Sequence, residues 1–175
     1  MSALRVTFGV DPGLSGAIAT LLDGDPGPML DMPIFHNGTA NEVDAVALAR
    51  FVREVRGAHP GAHVSACIER VRAMPSTGPN RRTMGAQSSF NFGDGFGAVK
   101  TVFRVLGLQP VLVEAQTWKR RMGLTGGEKD DARQLAIARF PCVAEQLKRK
   151  KDIGRADALL IALHHDSETM GRVAA

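Results

Sequence analysis

The sequence predicts an α/β fold, a mixed sheet with helices on its faces. Three observations point there. Short apolar runs of strand length open the chain, helical and strand patterns then alternate, and helical patterns close it. Of the 175 residues 44% are hydrophobic and 23% are charged, an ordinary globular composition. A chain of this length buries about two-thirds of its unfolded surface, so the expectation is one domain over residues 1–175.

The elements follow in order. Leu4–Val10 reads as a buried strand that ends in the turn Asp11-Pro12-Gly13-Leu14-Ser15-Gly16. Ala17–Leu22 resumes as strand, Asp23 to Gly27 carries turn chemistry, and Pro28–Ile34 reads as a third strand of an antiparallel meander. Asn41–Val55 places Val43, Val46, Ala47, Phe51 and Val55 on one helical stripe, with Gly57 expected to stop it. His63–Glu69 alternates Val64, Ala66 and Ile68 with Ser65, Cys67 and Glu69, a strand with two faces. Residues 70–87 read as irregular. Ser88 or Ser89 is the expected cap of a helix running to Leu106, ended by Gly107. Pro110–Val113 reads as a short strand. Thr117–Met122, Asp130–Phe140, Val143–Lys148 and Ile153–His165 read as helices.

Charge is distributed unevenly. Residues 1–69 carry 4 Lys/Arg against 8 Asp/Glu, residues 70–155 carry 17 against 7, and residues 156–175 carry 1 against 3. A basic middle between acidic flanks suits a surface that meets phosphates, although a solvated basic face has the same composition. Two cysteines, Cys67 and Cys142, make no disulfide framework and lack zinc-finger spacing. No segment approaches 18 consecutive apolar residues, and the first ten residues lack a long apolar core. The expectation is a cytoplasmic protein with no membrane partner.

Three carboxylates stand out. Asp11 ends the first strand, where Pro12 fixes a backbone angle and Gly13 and Gly16 permit close approach; Asp-Pro-Gly is also plain turn material. Glu69 ends an otherwise apolar strand beside a basic loop, and an ion pair with Arg70 or Arg72 is the alternative. Asp157 shares a helix face with Leu160, Ile161 and His164. An acid on an apolar stripe is costly without compensation; a helix-dipole role or a pair with Arg155 would supply it. Two strand-end acids and a helix acid can converge at one edge of a sheet. Such a cluster repels itself unless divalent cations join it, and hard oxygen ligands favour Mg²⁺ or Mn²⁺. Two ions about 3.5–4 Å apart would suit phosphodiester hydrolysis. His164 reads as a packed histidine, Trp118 as a packing residue, and Phe90 and Phe92 as core or helix-start residues.

Four segments carry a family resemblance: Val10-Asp11-Pro12-Gly13-Leu14-Ser15-Gly16-Ala17; Ile68-Glu69 with Met74-Pro75; Gln116-Thr117-Trp118-Lys119; and Gly154-Arg155-Ala156-Asp157-Ala158-Leu159-Leu160. In this order they resemble the RuvC family of Holliday-junction resolvases, its phage and prophage branch above all, across residues 5 to 165. The resemblance implies a ribonuclease H-like fold, with a five-stranded mixed sheet whose first three strands are antiparallel, flanked by helices. It implies a homodimer and Mg²⁺-dependent nicking of four-way DNA junctions, with Mn²⁺ as a substitute. Asp11, Glu69 and Asp157 match the family's metal ligands. Lys119 and Lys129 lie where the family often has lysines near the scissile phosphate.

Two departures matter. Many members carry an Asp or His three residues before the last acid, where this chain has Gly154. Asp152 is a candidate fourth ligand, although on a regular helix it would be turned about 140° from Asp157; N-capping is its alternative role. Cellular members often place an aromatic after the strand-end Glu, whereas this chain offers Arg70, Arg72, Arg81 and Arg82. Arg stacks as well as binding phosphate, so backbone-dominated binding is expected. Ser88 and Ser89 near a helix N-terminus, and Arg120 and Arg121 beside Lys119, complete the DNA-binding candidates.

The expected chemistry is two-metal hydrolysis leaving 5′-phosphate and 3′-hydroxyl ends. Two alternatives stay beside it: a junction-binding module without catalysis, and an RNA–DNA hybrid nuclease of the same fold. An Asp-x-Gly-x-Ser turn also holds ATP phosphates in the sugar-kinase and actin-like group, but that group needs a second such domain, so no nucleotide cofactor is expected.

Overall fold

The computed structural model describes residues 3–72, 85–128 and 130–173. Arg81, Arg82, Lys129, Met74 and Pro75 therefore lie outside the described residues.

In chain order the elements are strands β1 (Arg5–Asp11), β2 (Ala17–Leu22), β3 (Asp25–Asp31), β4 (Ile34–His36) and β5 (Asn41–Val43), helix α1 (Ala45–Ala58), strand β6 (His63–Glu69), helix α2 (Ala86–Val105), strand β7 (Val111–Val113), and helices α3 (Ala115–Arg121), α4 (Asp131–Arg139) and α5 (Ile153–Val173). Short 3₁₀ turns at Pro141–Leu147 and Lys150–Asp152 join α4 to α5. The main sheet has five strands in the order β3-β2-β1-β6-β7. β1 to β3 are antiparallel, while β6 runs parallel to β1 and β7 parallel to β6. This is the mixed, helix-flanked sheet that the sequence predicts.

Strand alternation divides the interior in two. Val6, Phe8 and Val10 of β1 and Ala66 and Ile68 of β6 point to one face, where Leu48 and Val52 of α1 and Val99 and Phe103 of α2 cover them. Cys67, Ala17, Ala19 and Leu21 point to the other, under Trp118 of α3, Ala136 of α4 and Leu159 and Ile161 of α5. Residues 7, 9 and 11 of β1 share this second face. Gly9 lets α5 lie directly on β1: a Cβ there would stand 2.1 Å from the Ala158 carbonyl oxygen and 2.3 Å from the Ala162 nitrogen. Farther along, Thr7 Oγ1 donates to Asp166 Oδ1 at 3.0 Å, and Arg5 Nε reaches the same oxygen at 3.4 Å. Those contacts fix α5 antiparallel to β1, its first turns over the end that carries Asp11.

Several boundaries differ from the sequence reading. The third strand starts at Asp25, because a two-residue turn suffices: Asp23 has φ 51° and Gly24 φ 93°, the backbone of a tight hairpin. Pro26 is tolerated because β3 is an edge strand. Residues 34–43 form a small hairpin, so α1 begins at Ala45, capped by Asp44, whose carboxylate accepts from the Val46 and Ala47 amides. Helix α2 starts at Ala86, which puts Ser88 and Ser89 inside its first turn rather than at its cap. Helix α5 runs well past His165, to Val173. Among the described residues no helix is long and apolar enough to cross a membrane.

Candidate active site

Parallel pairing sets the first two acids side by side. Val10 of β1 pairs with Ile68 of β6, so Asp11 and Glu69 each follow by one residue at the same edge of the sheet. Both lie on the α5 face by strand alternation. Asp157, in the second turn of α5, sits next to Ala158, whose carbonyl abuts Gly9, two residues before Asp11. Three acids far apart in sequence thus meet where β1, β6 and α5 converge.

Burial and mutual charge both act on these acids. Burial pushes Asp11 up to about 6, and the charge of Glu69 adds to the rise. Burial pushes Asp157 up to about 7, with Asp11 and Glu69 raising it further. The Lys119 ammonium opposes both shifts. Asp11 Oδ1 accepts a long bond from the Gly13 amide, 3.4 Å, and Asp157 Oδ1 is buried without a hydrogen-bond partner. Glu69 is tethered differently: Trp118 Nε1 donates to its Oε2 at 2.7 Å. Lys119 and Asp157 share the walls of a 420 Å³ pocket with Ile153, Leu124 and Glu128.

Among the described residues, no three His, Cys, Asp or Glu side chains are already gathered as a metal cage. The acids are electrostatic neighbours, not a preassembled ligand shell. Their chemistry nevertheless fits a divalent cation: one buried carboxylate oxygen lacks a hydrogen-bond partner, and burial first, then the neighbouring acids, hold two carboxyls above their ordinary range, so a cation would relieve both. All-oxygen donors suit Mg²⁺ or Mn²⁺.

Asp152, the candidate fourth ligand, has other partners. Its carboxylate accepts from the Arg149 amide at 2.9 Å and from Arg149 Nη2 at 2.7 Å. The Arg149 guanidinium holds it below the usual carboxylate range. Its capping role is real but belongs to the 3₁₀ turn before α5 rather than to α5 itself. Gly154 explains the departure at the neighbouring position. A Cβ there would lie 2.6 Å from the Ser15 carbonyl oxygen and 2.9 Å from Gly16 Cα. The turn after Asp11 presses against the start of α5 and leaves room for no side chain. Arg155 does not pair with Asp157; it binds Asp31 through Nε and Nη2, at 2.5 and 2.8 Å.

The expected DNA-binding residues separate into groups. Arg70 and Arg72 both turn to Glu114, at 3.5 and 2.6 Å. Arg120 and Arg121 line a 500 Å³ pocket with Cys67, His164 and Glu168, apart from the one that holds Lys119, and Arg121 pairs with Glu168 at 3.4 Å. His164 is buried, as its helix face suggests. Ser88 joins Gly13, Ser15 and Phe92 around a groove of about 550 Å³ between the Asp11 turn and α2. Phe90 and Phe92 lie at the start of α2 but are not core, being 71% and 38% exposed. Sequence reasoning passed over Trp118 as a partner of Glu69 and Arg149 as a partner of Asp152. The indole sits inside the Thr-Trp-Lys segment that carries Lys119, which is the one signal the sequence offered.

No family model matches the sequence, and no curated protein does. Several solved structures are similar, among them two of RuvC. One is Thermus thermophilus RuvC in complex with a Holliday junction substrate, 16% identical, with 95% of this chain and 96% of that chain covered and a TM-score of 0.56. The other is a Thermus thermophilus RuvC structure, 17% identical over the same shares, with a TM-score of 0.48. With its strand order, its antiparallel opening and α5 laid across β1, the chain has the RuvC-type, ribonuclease H-like fold.

Proposed function

We propose that this chain is a divalent-metal-dependent endonuclease that nicks branched DNA, with four-way junctions as its favoured substrate. The observation that carries the reading is the meeting of Asp11, Glu69 and Asp157 at one edge of the sheet beside Lys119, with a buried Asp157 oxygen left unpartnered. These three acids are the residues that would hold Mg²⁺ or Mn²⁺. Bound ions supply the Lewis acidity that readies a water for in-line attack and neutralises a departing 3′ oxygen, leaving 5′-phosphate and 3′-hydroxyl ends.

The chain's own residues supply the rest. Ionised carboxylates of Asp11 and Asp157 give the ions their counter-charge. Lys119 offsets charge on the reacting phosphoryl group. The groove between the Asp11 turn and α2 offers Ser88 and the edge of Phe92 to backbone and base. Arg81, Arg82 and Lys129, outside the described residues, add positive charge to the same stretch of chain. A two-fold pair of such chains would match the two-fold symmetry of a junction and set one site on each of two strands. The junction-bound RuvC of the same fold supports the substrate class.

The test is cleavage of a mobile four-way junction beside linear duplex and an RNA–DNA hybrid, with Mg²⁺, Mn²⁺ or EDTA. Nicks in the junction with either ion, and none with EDTA, are expected. Asp11→Asn, Glu69→Gln and Asp157→Asn should each bind the junction while nicking falls below about a hundredth of the parent rate. Binding without nicking by the parent itself would make the chain a junction-binding module. Preferential hydrolysis of the hybrid would move the substrate to RNA.

A further inference from the structure

Helix α3 is short, yet it is pinned at its start and at its middle. Glu114, just before it, takes Arg70 and Arg72, the residues that follow Glu69. The Arg70 amide donates to the Val113 carbonyl at 2.7 Å, which carries the β6–β7 pairing past the end of β6. The start of α3 is thereby tied to the segment that leaves Glu69. One turn later Trp118 is fully buried, and its Nε1 donates to Glu69 Oε2 at 2.7 Å. An indole N–H is a donor and nothing else. It can hold a carboxylate oxygen but cannot compete with that carboxylate for a cation. Lys119, the next residue, places its ammonium 5.2 Å from the centre of the same ring, within cation–π range.

We propose that Trp118 is a positioning residue for the acidic site. It fixes one oxygen of Glu69 and leaves the other outside that bond, so that a divalent cation meets a Glu69 that is already oriented. The proposal rests on the endonuclease reading of the same acids and deepens it. The ring is also the floor under Lys119, so α3 delivers the anchored carboxylate and the cationic side chain from adjacent positions. A packing role alone would need a large apolar ring at position 118 but no N–H.

The chain's composition makes the experiment direct. It contains one tryptophan and no tyrosine, so intrinsic emission excited at the indole band reports Trp118 alone. Mg²⁺ titrated into the metal-free parent should change that emission saturably, with the midpoint found by calorimetry, and EDTA should reverse it. Trp118→Phe keeps an aromatic ring, though a smaller one, and removes the donor. It should stay cooperatively folded with a Tm lowered by roughly 3–10 °C, and bind Mg²⁺ about tenfold or more weakly, the loss typical of removing a group that orients a metal ligand. Its junction nicking should return toward the parent rate as Mg²⁺ is raised, a rescue that a damaged core would not give. Mg²⁺ binding that leaves Trp118 emission unchanged overturns the positioning role. So does a Trp118→Phe affinity equal to the parent's. Absence of any Mg²⁺ or Mn²⁺ binding by the parent overturns the endonuclease reading together with it.

Discussion

Asp157 is the residue on which stability and chemistry pull in opposite directions. Its carboxyl is held up at about 7 in the folded chain and titrates near 3.9 in an unfolded one. Between those values the folded protein binds more protons than the unfolded one, so stability falls as pH rises through the window. Asp11, at about 6, works in the same sense. Asp152 works in the opposite one: its lowered value contributes stability above the unfolded value, lost as pH falls below it. The two windows separate near pH 4. Asp157→Asn should therefore gain stability relative to the metal-free parent as pH rises from 4.5 to 8, by roughly 2–4 kcal/mol. Chemical denaturation at several pH values in EDTA measures it. A difference between the two proteins that does not vary with pH would show that Asp157 is not held protonated by its surroundings. Mg²⁺ should narrow the gap by stabilising only the parent at pH 8.

At the scale of elements, the close seating of α5 sets the site. Gly9→Ala would drive a methyl into the Ala158 carbonyl and Ala162 backbone, neither of which can swing away. A loss toward the upper end of the ~1–3 kcal/mol usual for overpacking is expected, a fall in Tm of roughly 5–10 °C. Gly154→Ala meets the backbone of the Asp11 turn instead. It should cost nicking more than it costs Tm, because it pushes Asp157 and Asp11 apart while the far end of α5 stays anchored by Asp166. Equal Tm and equal nicking for Gly154→Ala and the parent would remove the turn–helix contact from the argument.

The elements also show what the sequence discloses and what it hides. β1, β2 and β6 were legible because each carries apolar residues, in a run or in alternation, over a strand's length before turn or loop residues, and most of those apolar side chains are buried. β3 was misplaced because Asp25, Pro26 and Gly27 are turn residues by composition, yet two positive-φ residues close the hairpin and an edge strand accepts the proline. The β4–β5 hairpin was invisible because its strands are three residues long and mostly exposed. At the site, Asp11 and Glu69 stood out in the sequence as acids at strand ends and Asp157 as an acid on an apolar helix stripe. The partners of Glu69 and Asp152 were not. The first lies across the fold, 49 residues on, and the second is a local arginine that also reads as DNA-binding charge.

For the whole molecule, the proposed function makes the basic stretch from 70 to 155 the part that would hold DNA. Arg70, Arg72, Arg121 and Arg149 are engaged by acids, so the formal surplus overstates the charge free to meet phosphates. Junction affinity should fall linearly with log salt, by about 0.9 log units per decade of salt for each phosphate neutralised. Replacing both Arg81 and Arg82 with Ala should lower that slope by about one to two and leave nicking of fully bound junction unchanged. An unaltered slope would place the phosphate contacts elsewhere.

The acids lie far apart in sequence: Asp11 closes the first strand and Asp157 sits in the second turn of α5. Glu69 alone, with β1 and β6 paired, makes only part of the site. A polypeptide broken off anywhere before residue 157 would therefore lack the full set of acids, so on the proposed reading such a product should not nick DNA.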